Sequence, residues 1–218
     1  MVVYKLTYFS IRGLAEYIRQ LFHLAEVPFE DHRVTPEEFA EMKKTLPFEQ
    51  LPILEVDGRV ISQSITILRY LAKQFGYYGK SDYEQAIVDS LADQYKDFSS
   101  ENKKYFYSVR GYLPATPEEI EKLKQEVYLP SREKYLRFLS NFLKKSSTGF
   151  LAGGDVTYID LVIAEQVATM REHWSDFSDG YPEIIAHEKK VHDIPQIKKW
   201  IETRPADIMI LPNRQAQK

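Results

Sequence analysis

The 218-residue chain contains no cysteine. That absence removes disulfides, Cys-ligated metals and a cysteine nucleophile in one step, and it fits a reducing compartment. No apolar run approaches the roughly 20 residues of a membrane-spanning helix. Lys5 interrupts the amino-terminal apolar stretch before a secretory h-region can form, so a cytoplasmic protein is expected. A basic excess is also missing. With 29 Lys and Arg against 32 Asp and Glu, the net charge is −3, and no footprint for nucleic acid is left. Neither a G-x-S-x-G elbow, nor a phosphate loop, nor a dinucleotide fingerprint occurs. The five histidines, at 23, 32, 173, 187 and 192, include no i,i+4 pair, so no metal site is expected.

What is present is an ordinary globular composition, 44% hydrophobic and 28% charged, at a length that suits one large domain or two small ones. Val2, Tyr4, Leu6 and Tyr8 alternate with Val3, Lys5, Thr7 and Phe9, as in a strand. Gly13 lets the chain bend, and Leu14, Ile18, Leu21, Phe22 and Ala25 then recur at helical spacing. A phenol, Tyr8, is thereby expected beside a helix start, where free N–H groups favour an anion. Phe29 to Val34 reads as a second strand. Thr35-Pro36-Glu37-Glu38 reads as a helix cap, with Phe39 and Met42 turned inward. Asp57-Gly58 between two β-rich runs predicts a hairpin, and Ser62 or Ser64 is the expected cap of the next helix. The first 76 or so residues thus read as a compact α/β unit.

Gly76-Tyr77-Tyr78-Gly79-Lys80-Ser81 is the expected linker, and beyond it only helices are predicted. Ile87, Leu91, Tyr95 and Phe98 mark a long one. Thr116-Pro117-Glu118-Glu119 starts another, running towards Lys145, which Pro130 should kink or split. Val156-Thr157-Tyr158-Ile159-Asp160-Leu161 carries a capping box and a staple. Two shorter helices, Pro182 to Val191 and Pro195 to Thr203, close the chain.

Tyr8-Phe9-Ser10-Ile11-Arg12-Gly13, Gln50-Leu51-Pro52-Ile53, Gln63-Ser64, Asp97-Phe98 and Asp155-Val156-Thr157-Tyr158-Ile159-Asp160 stand in this order along nearly the whole length. On these motifs the chain resembles the cytosolic glutathione S-transferases of the tyrosine type, in their sigma-like, nematode-like group. The resemblance implies a thioredoxin-like domain over 1–78 with a mixed four-stranded sheet. An all-helical domain over 79–218 would hold the electrophile pocket. It implies a homodimer that uses glutathione as co-substrate and needs no cofactor, with no membrane or nucleic-acid partner. The implied activity is conjugation of small hydrophobic electrophiles, with prostaglandin D isomerase or peroxidase chemistry left open. A carrier of haem or hydrophobic anions is the alternative, and a crystallin-like structural protein a third.

By the same resemblance Tyr8 donates a hydrogen bond to the glutathione sulfur and favours its thiolate, with Ser10 the rival hydroxyl. Leu51, before a cis Pro52, pairs with the cysteinyl unit. Gln63 and Ser64 hold the γ-glutamyl end, and Lys43 and Gln50 reach the glycyl carboxylate and the peptide backbone. Asp97 acts across a dimer interface on the γ-glutamyl amine. Phe39 stands where many relatives carry tryptophan, and so lacks that indole donor. Leu14 stands where several sigma-like members carry arginine, and Glu49 where a small residue is common. Phe48 matches an aromatic key between subunits in some classes, or makes a contact within the chain. Ile11, Leu14, Tyr105, Tyr107, Val109 and Met209 are the candidates for the electrophile pocket.

Overall fold

The computed structural model describes residues 2–208. Four strands, β1 (Tyr4–Phe9), β2 (Glu30–Val34), β3 (Ile53–Val56) and β4 (Arg59–Ser62), form one sheet in the order β2-β1-β3-β4. β1 and β2 are parallel, whereas β3 runs antiparallel to both β1 and β4. The mixture follows from the connections. Helix α1 (Glu16–Leu24) carries the chain back between β1 and β2, and the Asp57-Gly58 turn simply reverses it between β3 and β4. Asp57 and Gly58 both take left-handed φ, +48° and +78°, as a two-residue turn of this hand requires.

Tyr4, Leu6 and Tyr8 are buried on one face of β1 and pack with Ile18, Leu21 and Phe22 of α1. Helix α1 starts later than its apolar spacing suggested. A 3-10 turn over Gly13–Ala15 precedes it, and Leu14, expected to face inward, is 41% exposed. Helix α2 (Pro36–Met42) has the expected reciprocal cap. Glu38 N–H donates to Thr35 Oγ1, and Thr35 N–H to the Glu38 carboxylate. Helix α3 (Ser64–Phe75) departs from expectation, since neither Ser62 nor Ser64 caps it. Gln63 occupies the cap position at φ +72°, with no side-chain cap bond, and Ser64 is already helical.

Helices alone follow among the described residues: α4 (Asp82–Glu101), α5 (Lys103–Val109), α6 (Pro117–Leu123), α7 (Leu129–Lys145), α8 (Tyr158–His173), α9 (Pro182–His192) and α10 (Pro195–Thr203). The periodicity did not reveal α5, a short helix separated from α4 only by Asn102. Pro130 does split its helix. One π turn, Lys124–Tyr128, joins α6 to α7, and the proline lies in the first turn of α7, where its missing N–H is tolerated. Helix α8 is the axis of the core, with Ile159, Leu161, Val162, Ile163, Ala164 and Val167 inaccessible to solvent. At its start the Asp160 carboxylate accepts from the N–H and the hydroxyl of Thr157, each at 2.8 Å, and from Leu151 N–H at 2.8 Å. His187 Nε2 lies 2.9 Å from the same group. The expected linker is pinned here too, because Tyr158 N–H donates to Tyr77 O at 2.8 Å. No helix among the described residues is long and apolar enough to cross a membrane.

Candidate active site

Strand register decides where the site lies. Thr7 pairs with Ile53, and Ile53 with Ser62. Tyr8, Pro52 and Gln63, each one residue further along, therefore emerge together at one end of the sheet. The Leu51-Pro52 peptide bond is cis. Gln63 Nε2 donates to Gln50 Oε1 at 3.3 Å, which joins the segments before β3 and after β4. Ser64 Oγ accepts from Tyr17 at 3.5 Å, and the Tyr17 hydroxyl lies 3.4 Å from that of Tyr95 on α4.

Tyr8 is 7% exposed. Its Oη accepts the Leu14 N–H at 3.2 Å, one of the free donors at the start of the 3-10 turn and α1. The phenolic proton is left available for a ligand. Burial pushes the phenol above its ordinary value, opposed by the Leu14 N–H and the Arg19 cation, so Tyr8 stays protonated near neutrality and acts as a donor. Ser10, the rival hydroxyl, receives no such bond among the described residues; its carbonyl accepts from Ile208 N–H at 2.9 Å. Gly13, at φ +44°, is required by this approach, because a Cβ there would lie 2.7 Å from Tyr8 Oη. Phe39 packs its ring edge-on against Phe9, centroids 5.2 Å apart, and so lies beside the Tyr8 turn.

The turn itself is held by two arginines that the sequence reading did not single out as supports. Arg19, wholly buried, donates to Ile11 O at 2.9 Å and to Phe9 O at 3.4 Å, and pairs with Asp31 at 2.9 Å. Arg12 reaches Glu172 of α8 at 2.9 Å, Asp207 at 3.1 Å and Glu165 at 3.5 Å. Glu165 and Glu16 share Arg204, at 3.2 and 2.8 Å, while Gln20 bonds Glu165 and Trp200 bonds Glu16. Burial, and the neighbouring Glu16 charge, push the Glu165 carboxyl up to about 7. The only hint in the sequence was the Glu16/Arg19 spacing of three.

The remaining expected residues scatter. Lys43 lies exposed in the 3-10 turn after α2. Asp97 is exposed on α4, where Gln94 donates to it at 3.2 Å. Phe48 is 61% exposed and Glu49 is exposed at φ +50°. Ile11 is half-buried, and Leu14, Tyr107 and Val109 are 40–42% exposed. Tyr105 is not presented to a pocket. It is 3% exposed, stacked on Tyr128 at 4.6 Å and packed near Trp174, because the inner face of α5 belongs to the helical core. Met209 lies outside the described residues. No group of three or more metal-ligating side chains occurs among the described residues.

The glutathione S-transferase N-terminal domain family matches residues 4–73, and the C-terminal domain family matches residues 88–204. The chain belongs to the glutathione S-transferase family. It is 52% identical to a probable glutathione S-transferase 5 of Caenorhabditis elegans, over 94% of this chain and 98% of that one. Among solved structures it is similar to a monomeric glutathione S-transferase, Na-GST-3, from the hookworm Necator americanus. That similarity has 46% identity and a TM-score of 0.89, covering 95% of this chain and all of the other. It is also similar to prostaglandin synthase D of Nilaparvata lugens, at 35% identity and a TM-score of 0.84, covering 94% and 99%.

Proposed function

We propose that this transferase joins the thiolate of glutathione to small hydrophobic electrophiles, with Tyr8 as the catalytic residue. The observation that carries the reading is the Tyr8 hydroxyl. It is buried, kept protonated, and fixed by the Leu14 N–H at 3.2 Å with its own proton free. A free thiol has a pKa near 8.5. Ionising it at neutral pH needs a fall of about two units, roughly 3 kcal/mol. A hydrogen bond to a charged group contributes about 1.5–3 kcal/mol, so Tyr8 supplies most of that shift and the helix start assists. Gln50, Leu51, Pro52, Gln63 and Ser64, gathered at the same end of the sheet, bind the tripeptide, with Phe39 and Lys43 beside them. The thiol arrives with the ligand, which is why a chain without cysteine can perform this chemistry in the cytoplasm.

The second substrate enters from the helical side, over Ile11, Leu14 and Val109. Isomerisation of a prostaglandin endoperoxide is a second reading, supported by the similarity to the Nilaparvata lugens enzyme. In a homodimer Asp97 would serve the partner's tripeptide; sedimentation at micromolar concentration showing only the single-chain mass would sink that role. The test of Tyr8 is retention on immobilised glutathione followed by an aryl-halide conjugation assay at mildly acidic pH. Tyr8→Phe should keep retention and lose about 10²-fold in kcat/KM, the equivalent of roughly 3 kcal/mol. Equal turnover by the two proteins would remove Tyr8 from catalysis.

A further inference from the structure

The residues between β1 and the 3-10 turn belong to neither element, so their backbone groups need partners from elsewhere. Arg19 meets part of that need from the buried side, through Phe9 O and Ile11 O. Arg12 O accepts from Ala15 N–H and Glu16 N–H, at 3.2 and 3.1 Å. Two further groups, Ser10 O and Arg12 N–H, are met from the far end of the chain. Ser10 O accepts from Ile208 N–H at 2.9 Å, and Arg12 N–H donates to Asp207 Oδ1 at 2.7 Å. The second oxygen of that carboxylate accepts from Arg12 Nε at 3.1 Å. One aspartate thus grips both the backbone and the side chain of a turn residue, across 195 positions of sequence.

The segment that brings Asp207 there is itself anchored. Helix α10 lies on α1, with the Trp200 ring stacked on His23 at 4.2 Å and its Nε1 donating to Glu16 at 2.8 Å. Arg204, just past α10, donates to Glu16 at 2.8 Å and to Glu165 at 3.2 Å. It is extended, at ψ +144°, as a residue before proline prefers. Only Pro205 and Ala206 separate it from Asp207. The Asp207 side chain is 35% exposed, and an ion pair so open to water adds little to stability. What it contributes is geometry. Glu172 and Glu165 also hold Arg12, but they reach only its guanidinium. Asp207 holds the backbone N–H, two residues before the Leu14 N–H that meets Tyr8 Oη at 3.2 Å.

We infer that Asp207 is a positioning residue for thiol activation, clasping the Ser10–Arg12 turn together with the Ile208 N–H and so setting where Leu14 holds the Tyr8 hydroxyl. The inference rests on the transferase reading above and extends its machinery to the segment after α10. Asp207 acts through the turn and is not a catalytic residue. Releasing it frees the turn to shift by a fraction of an ångström, while Arg19 keeps it folded. A donor aimed at a thiolate loses strength on that scale. The bound thiol should then ionise at higher pH, and chemistry should slow more than binding weakens.

The test uses the full chain with Asp207→Ala, Asp207→Asn and Asp207→Glu. Two readouts are needed, the thiolate absorbance of bound glutathione against pH and aryl-halide conjugation. In Asp207→Ala the thiolate midpoint should rise by about one unit and kcat should fall about tenfold. The KM for glutathione and the urea midpoint should stay nearly constant. Asp207→Asn keeps an oxygen for the Arg12 N–H and should lie between wild type and Asp207→Ala, and Asp207→Glu should recover part of the loss. A wild-type thiolate midpoint in Asp207→Ala would overturn the clasp and leave the transferase reading intact. So would a loss of activity that only follows a lowered urea midpoint, since that is a structural role. If wild type itself forms no thiolate and turns over no aryl halide, the transferase reading fails and the clasp with it.

Discussion

At the proposed glutathione end of the sheet, the turn that carries Tyr8 is fixed from several directions. Tyr8 is held by the Leu14 N–H and by the close pass of Gly13. The turn behind it is tied down by Arg19 and Arg12, and Gln63 leans on Gln50. At the end of α5, by contrast, Tyr107 and Tyr112 are 40% and 44% exposed, with their rings 5.8 Å apart and Lys103 Nζ 5.4 Å from the Tyr107 ring. The two sides meet different requirements. A thiolate must be met by a donor within a few tenths of an ångström, and that precision needs a locked support. Varied electrophiles need only apolar area, which discriminates weakly and tolerates looseness.

The sharpest way to break this contrast is to loosen the locked side. Gly13→Ala places a methyl 2.7 Å from Tyr8 Oη at a φ of +44°, which alanine rarely adopts. The hydroxyl must move, so kcat/KM should fall about as far as in Tyr8→Phe, roughly 10²-fold. The double variant should be no worse than either single one, because both remove the same contact. Activity of Gly13→Ala within threefold of wild type would show that the turn relaxes and that the position of the hydroxyl is not fixed by it.

That locked side was also the legible side. Gly13 announces itself because a strand that bends into a helix restricts which residue serves, whereas the roles of Tyr8, Pro52 and Gln63-Ser64 came from the family resemblance. The hairpin at Asp57-Gly58 and the Thr35 and Thr116 caps were readable for the same reason, being chemistry confined to a few neighbouring residues. What failed to show were contacts made across the chain. Arg12 meets Glu165 and Glu172 over separations of more than 150 residues, and no local pattern encodes that. Tyr105 and Tyr107, two positions apart on α5, fell on opposite sides of the helix, one in the core and one at the surface. A tyrosine-rich segment does not say which ring faces where.

Glu165 tests how firmly the floor beneath both sides is set. Its carboxyl holds a proton in the fold up to about pH 7, against an ordinary value of 4.5. Between those values the unfolded chain has released the proton and the folded chain has not, so this residue's contribution to stability falls as pH rises through the window. The groups facing it are Glu16, Arg204 and Arg12 as charges, with Gln20 and Thr169 as neutral partners. Glu165→Gln fixes the neutral form. Its stability relative to wild type should therefore rise from pH 5 to pH 8, by on the order of 2 kcal/mol. Urea unfolding at both values measures this, and a pH-independent difference would place the raised value elsewhere.

The smallest effect separates the two sides within one residue. Leu14 offers its N–H to Tyr8, and its side chain, 41% exposed, is open to the second substrate of the proposed reaction. Leu14→Ala deletes the side chain and leaves the N–H where it is, since the backbone of the 3-10 turn needs nothing beyond Cβ. Thiol activation should persist, visible as an unchanged thiolate absorbance of bound glutathione across pH. The electrophile should lose contact area corresponding to about 1 kcal/mol, and its KM should rise about fivefold with kcat nearly constant. A shifted thiolate titration in Leu14→Ala would mean that the side chain, and not only the backbone, shapes the Tyr8 hydroxyl, and the division between a locked side and a loose one would then run through the residue rather than along the cleft.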